Sequence, residues 1–158
     1  MLAHLPSPPQ LLKMLSAYEA GAPMQRGALQ FLAGATGATT GVLALARAGG
    51  ALEIVAKLGE TPLPAGFNPA LEAFWSDVCG QWNDATDTLE LDQIEEMRAA
   101  APQPTWVADS GDIYQRYVLP APAGARLEPI GVAALHVSAE GARPIRHDLL
   151  AVVGRVLR

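Results

Sequence analysis

Cys79 is where this chain comes nearest to reactive chemistry. It lies four residues after Trp75 and three before Trp82, so on a helix the three side chains share one face. Such a thiol has two readings. It can be a redox-sensitive or ligand-contacting group in a pocket wall, or a small buried hydrophobe, which is how free cysteine usually behaves. Phe67, Phe74, Trp75, Trp82 and Trp106 concentrate aromatic surface in the same stretch. A planar ligand can stack there in an apolar pocket, and core packing accounts for the same residues equally well.

The remaining polar candidates are weaker. His4, His136 and His147 form no zinc-ligand spacing with one another or with Cys79. His136, on a strand, changes charge near neutral pH if it faces a pocket; a strand histidine also faces solvent or a satisfied partner without any further role. Asp84, Asp87, Glu90, Asp92, Glu95 and Glu96 follow one another without a basic residue, but they lack the ordered spacing of a calcium loop and read as a solvated face. Asp109 and Asp112 flank Ser110 and Gly111. No nucleophile with an orienting histidine accompanies them, and turn chemistry explains them. One thiol cannot resolve its own sulfenic acid within the chain, which disfavours a thiol-cycling enzyme. The expectation is a non-enzymatic protein with no metal and no cofactor, whose candidate ligand contacts are Phe74, Trp75, Cys79, Trp82, Trp106 and His136.

Composition sets the frame for these residues. A chain of 158 residues, half of them hydrophobic and 17% charged, has the size of one domain and enough apolar surface to offset its chain entropy. The formal charge is −5, from 16 acidic against 11 basic residues. No Lys/Arg cluster spans neighbouring phosphates, so nucleic acid is not expected as a partner. The uncharged part of residues 27–46 is broken by Gly34, Gly37, Gly41 and three threonines; it reads as helix end, loop and strand, not as a membrane span. The N-terminus has no basic region, and Pro6, Pro8 and Pro9 interrupt any signal-like apolar run. A single cysteine rules out an internal disulfide framework, which suits a reducing cytoplasm.

The elements that must position the candidates are set by local patterns. Ser7 and Gln10 have capping-box spacing ahead of Leu11, Leu12, Met14, Leu15 and Tyr18, which predicts a helix. Gly21 is placed to end it in the left-handed conformation. Pro23 restarts a second helix. Residues 42–46 are apolar on both faces, as a strand covered on each side should be. Gly49 and Gly50 form a hairpin signal before Leu52, Ile54 and Ala56, which alternate with Glu53, Val55 and Lys57. Asn68 and Pro69 open a third helix through Trp82, and the acidic residues 84–96 suggest a fourth. Thr105 to Ala108 reads as a short strand before a polar turn. At the end, Leu149, Val152, Val153, Val156 and Leu157 make a continuous helical stripe.

Residues 114–158 carry a wider likeness. Tyr117-Val118-Leu119-Pro120, a turn around Gly124, the strand Gly131-Val132-Ala133-Ala134-Leu135, and a helix opening near Asp148 resemble the end of a GAF domain. Element order is similar to that family across most of the chain. The resemblance implies an α+β fold, with a central antiparallel sheet of about five to six strands, profilin- or PAS-related, flanked by helices and bearing a loop-walled pocket on one face. The chain departs from the family's bilin, cyclic-nucleotide and methionine sulfoxide reductase motifs, since Cys79 is followed by Gly80 and Phe74 lacks the following acidic pair.

The resemblance implies a cytoplasmic, non-catalytic sensory or regulatory module in signal transduction, binding an unknown small molecule in an apolar pocket and acting on a partner signalling protein. One domain spans 1–158, with N-terminal helices in 8–36, sheet and pocket in 40–138, and a last helix in 146–158. The alternative is a dimerisation or interaction module of roadblock or longin type, or a ligand-free GAF domain, pairing through its first and last helices. Two helices before residue 40 and the strand at Trp106 favour the GAF arrangement.

Overall fold

The computed structural model describes residues 5–48, 50–60, 62–83, 105–123, 126–138 and 145–158. The side chain of Trp82, the acidic segment 84–96 and the turn around Gly124 lie outside them. The described elements run α1 (Pro8–Ser16), α2 (Ala22–Thr36), β1 (Thr40–Ala46), β2 (Leu52–Leu58), α3 (Phe67–Asn83), β3 (Thr105–Val107), β4 (Ile113–Ala123), β5 (Arg126–Val137) and α4 (His147–Leu157). The five strands form one sheet in the order β2-β1-β5-β4-β3, antiparallel at every pairing. The fold is α+β, as its residue patterns predict.

Helix α1 begins on the capping box: Gln10 N–H donates to the Ser7 hydroxyl, and Ser7 N–H donates to the Gln10 side-chain oxygen at 2.9 Å. Its end differs from expectation. The helix stops at Ser16, and Gly21, with φ 94°, precedes the first turn of α2 instead of closing α1. Tyr18 therefore leaves the apolar face of α1 and lies over Gly27, where a Cβ would stand 2.5 Å from its ring. Gly37, at φ 83°, closes α2 in the left-handed conformation. Helix α3 starts before the expected cap, with Ala70 N–H donating to the Gly66 carbonyl. Pro69 falls in the first turn, where its missing N–H leaves no intrahelical bond unmade.

Both faces of the sheet are covered. On one, α1, α2 and α4 bury Leu11, Leu15, Leu29, Leu32, Leu149, Leu150 and Val153 against Leu43, Tyr117, Leu119, Ala133 and Leu135. On the other, α3 packs Phe67, Leu71, Phe74, Trp75 and Val78 on Val42, Ala44, Val118, Val132 and Ala134. Residues 42–46 are apolar on both sides because β1 lies inside the sheet and touches both cores. The face opposite the three helices thus carries a helix over its centre. Trp75 Nε1 donates to the Gly50 carbonyl at 3.0 Å, tying α3 to the β1–β2 hairpin.

The stripe on α4 is mostly spent within the chain. Leu149, Leu150 and Val153 are fully buried, while Val152, Val156 and Leu157 pack at the edge of the same core.

Two bulges shift the side-chain parity of the sheet. In β2, Leu43 pairs with Ala56 and Ala44 with Ile54, so Val55 is the extra residue. Regular alternation would put Lys57 on the same face as Val55; the bulge reverses the parity, and Lys57 pairs with Val42 on the α3 side. In β4–β5 the corresponding irregularity leaves Ile130 unpaired, between Leu119↔Gly131 and Pro120↔Pro129.

Candidate functional site

At the end of the sheet where β1 and β4 begin and β2 and β5 finish, α3 no longer covers the surface, and a cleft of about 240 Å³ opens. Thr40, His136 and Tyr114 are direct cross-strand partners on β1, β5 and β4, so their side chains project to one face side by side. Lys57 reaches the cleft from β2 through the bulge, Asp112 from the β3–β4 turn, and Leu63 from the loop after β2. Side chains from four strands and two connections converge here.

The β3–β4 turn is built to present Asp112. Ala108 N–H donates to the Asp112 carbonyl and Gly111, at φ 91°, donates to the Ala108 carbonyl. The Ser110 hydroxyl donates to Asp112 Oδ2 at 2.7 Å. The other carboxylate oxygen lies 3.2 Å from His136 Nε2. The sequence assigns Asp112 to turn chemistry alone; the structure gives it that role and also makes it the partner of His136. The Tyr114 ring lies tilted by 37° against the imidazole, with centroids 5.2 Å apart. Burial, and secondarily the Asp112 carboxylate, push the Tyr114 hydroxyl above its ordinary pKa, so it stays protonated as a hydrogen-bond donor.

Behind the cleft the aromatics form packed core. Tyr114 meets Phe67 edge-on at 5.1 Å and Trp106 at 5.9 Å, and Phe67 meets Trp106 at 5.8 Å. Phe74 and Trp75 are buried in the same cluster, with Cys79 half-buried at its margin. The Arg116 guanidinium sits 4.1 Å over the Phe74 ring and donates to the Ala70 carbonyl at 3.3 Å. Burial lowers its pKa from the usual arginine value.

Of the residues expected to bind a ligand, Phe74, Trp75, Cys79 and Trp106 therefore come together under α3. His136 stands apart in the cleft, linked to them through Tyr114. Trp82 has no described side chain. Thr40, Lys57 and Tyr114 join the site without being singled out by the sequence, and Asp112 joins it beyond the turn role expected of it. No local signal marks Lys57, because the bulge that places it arises between two strands. Asp112 and Tyr114 join His136 only through the β4–β5 register.

Burial also pushes the Cys79 thiol above its ordinary pKa. The thiolate, the reactive form, is depleted relative to a free cysteine. At pH 8.5 native protein is expected to react with iodoacetamide about fivefold or more slowly than urea-unfolded protein, the thiolate fraction and access both falling with burial. Equal rates in the two states would show the thiol to be open.

Among the described residues no group of three or more His, Cys, Asp or Glu side chains is placed to hold a metal ion, and no helix is long and apolar enough to cross a membrane. A larger hollow, about 420 Å³, lies at the opposite end of the sheet, but its Arg47 and Arg158 are already paired with Glu53 and Glu128. The polar cleft thus has the stronger claim to a ligand. No protein-family model matches this chain, and no curated protein matches it either.

Proposed function

We propose that this protein is a non-catalytic, GAF-like sensory or regulatory module that binds a small molecule in the cleft at the end of its sheet. The observation that carries the reading is the convergence of Thr40, Lys57, Asp112, Tyr114 and His136 on one hollow beside a closed core. Hydrogen-bonding groups of this kind orient a ligand and give it specificity. The site sits polar-side out from the aromatic cluster, so occupancy would be felt by Tyr114 and passed to Trp106 and α3. The small volume suits a metabolite and not a nucleotide or tetrapyrrole, since drug-sized ligands fill roughly 300–1,000 Å³. Transduction to a partner protein is part of the proposal, with the cytoplasm as its place of action.

A metabolite library screened by amide chemical shifts tests this. At least one compound is expected to move the Thr40, Tyr114 and His136 amides saturably, and Thr40→Trp, which fills the cleft, is expected to abolish the response. A library that moves none of them defeats the reading.

One observation favours a second reading, a dimerisation or docking module. Met14 is 51% and Tyr18 43% exposed, and both border an apolar groove with Phe31 between α1 and α2. Light scattering distinguishes it: a dimer in the native protein that Met14→Lys converts to a folded monomer supports this face as the interface.

A further inference from the structure

We infer that the ligand of the cleft is a small organic monocarboxylate, its carboxylate held at the Lys57 and Thr40 side and its other polar atoms at Tyr114 and His136. This rests on the cleft being a binding site, as proposed above.

The groups left for a ligand are mostly donors. Lys57 makes no ion pair among the described residues, and neither the Thr40 nor the Tyr114 hydroxyl has a hydrogen-bond partner among them. An ammonium and a nearby hydroxyl complement an oxyanion. The opposite flank carries the Asp112 carboxylate, with His136 against it. Lys57 is on β2 and Asp112 adjoins β4, with β1 and β5 between them. At about 4.8 Å per strand the two flanks are roughly 14 Å apart at the backbone.

A second carboxylate at the far end of the ligand would therefore approach Asp112, which disfavours dicarboxylates that span the cleft. Lys57 is the one lysine or arginine among the lining residues, which leaves the second charge of a phosphate dianion unbalanced. Capacity gives the same answer. A volume of 240 Å³ holds about eight waters at roughly 30 Å³ each, enough for a molecule of six to a dozen heavy atoms. Leu63, packed at the edge of the aromatic cluster, supplies an apolar side for a short carbon skeleton.

The probes are lactate and 2-oxobutyrate as monocarboxylates, lactamide as the neutral counterpart, succinate as the dianion, and inorganic phosphate. Each is titrated into the intact chain while the amides of Thr40, Lys57 and His136 are followed. The monocarboxylates are expected to shift these amides saturably and more tightly than succinate or phosphate. Lys57→Met is expected to weaken them by about ten- to a hundredfold, the loss of one charged hydrogen bond, while Lys57→Arg retains most of the binding. Lys57 is exposed, so the variants keep the fold, and unchanged amides in β5 and α3 check it.

Lactamide binding as well as lactate, tightest binding by succinate or phosphate, or binding unaffected by Lys57→Met would overturn the ligand class while leaving the cleft a binding site. If the monocarboxylates are silent while other library compounds move the cleft amides, the class is equally overturned. Silence of every probe and every library compound defeats the underlying site instead.

Discussion

Replacing Gly154 with alanine is expected to destabilise the protein by about 3 kcal/mol, the upper part of the usual range for forcing extra atoms into a packed core. The position lies on α4 where the helix crosses β4. A Cβ there would stand 1.8 Å from the Pro120 carbonyl oxygen and 2.7 Å from its carbonyl carbon. These are backbone atoms of β4, held there by its pairing with β5, so no rotamer change relieves the overlap. The helix must lift, and Leu149, Leu150 and Val153, each fully buried, must lift with it. Thermal unfolding followed by circular dichroism should show a fall in Tm of about 6–12 °C, at roughly 2–4 °C per kcal/mol for a chain of this size. A Gly154→Ala protein melting within about 2 °C of the parent, less than the shift for a single kcal/mol, would mean that α4 does not pack on β4 in this way.

Leu135→Ala is expected to cost a comparable amount, about 3 kcal/mol within the roughly 2–5 kcal/mol range for fully buried leucines. Leu135 is wholly inaccessible on β5, under the helices of the three-helix face. Its neighbours are fixed on both sides. Gly41 of β1 is its direct cross-strand partner, close enough that a Cβ on Gly41 would stand 2.6 Å from a Leu135 methyl. Truncation therefore leaves a cavity that a strand inside the sheet cannot collapse to fill, and the cavity adds to the lost transfer energy. Val107→Ala is the control. Val107 lies on the edge strand β3 and is 58% exposed, so its truncation should change stability by less than about 0.5 kcal/mol. Urea unfolding monitored by tryptophan fluorescence measures both, and equal midpoints for the two variants would contradict the assignment of Leu135 to the core.

The features legible in the residues have a common cause: they are local. The capping box at Ser7 and Gln10, the hairpin signal before Leu52 and the stripe through Leu149 and Val153 each depend on contacts within a few residues along the chain. Each appears in the structure. The doubly apolar strand at residues 42–46 is equally readable, because a strand with two buried faces has no polar side to show. The end of α1 is not, since Gly21 fits a helix stop and a left-handed turn before the next helix equally well; the docking of Tyr18 on Gly27 decides between them.

The candidate site is legible only at His136. An aromatic cluster reads the same in sequence whether it lines a pocket or fills a core; in the fold α3 buries Phe74 and Trp75 against the sheet. The stripe on α4 has the same ambiguity between interface and core, and β4 and α1 together take most of it.

By itself the sequence determined the α+β class, the order of the described elements and which of their faces are apolar, because hydrophobic period, caps and turn residues act over a few positions. Only the tertiary structure decided which apolar faces meet and where a polar hollow remains. A bulge at Val55 turns Lys57 onto the α3 face, and cross-strand register sets Thr40, His136 and Tyr114 in a row. Register is a property of two strands together, fixed by the burial of both, and no single segment encodes it.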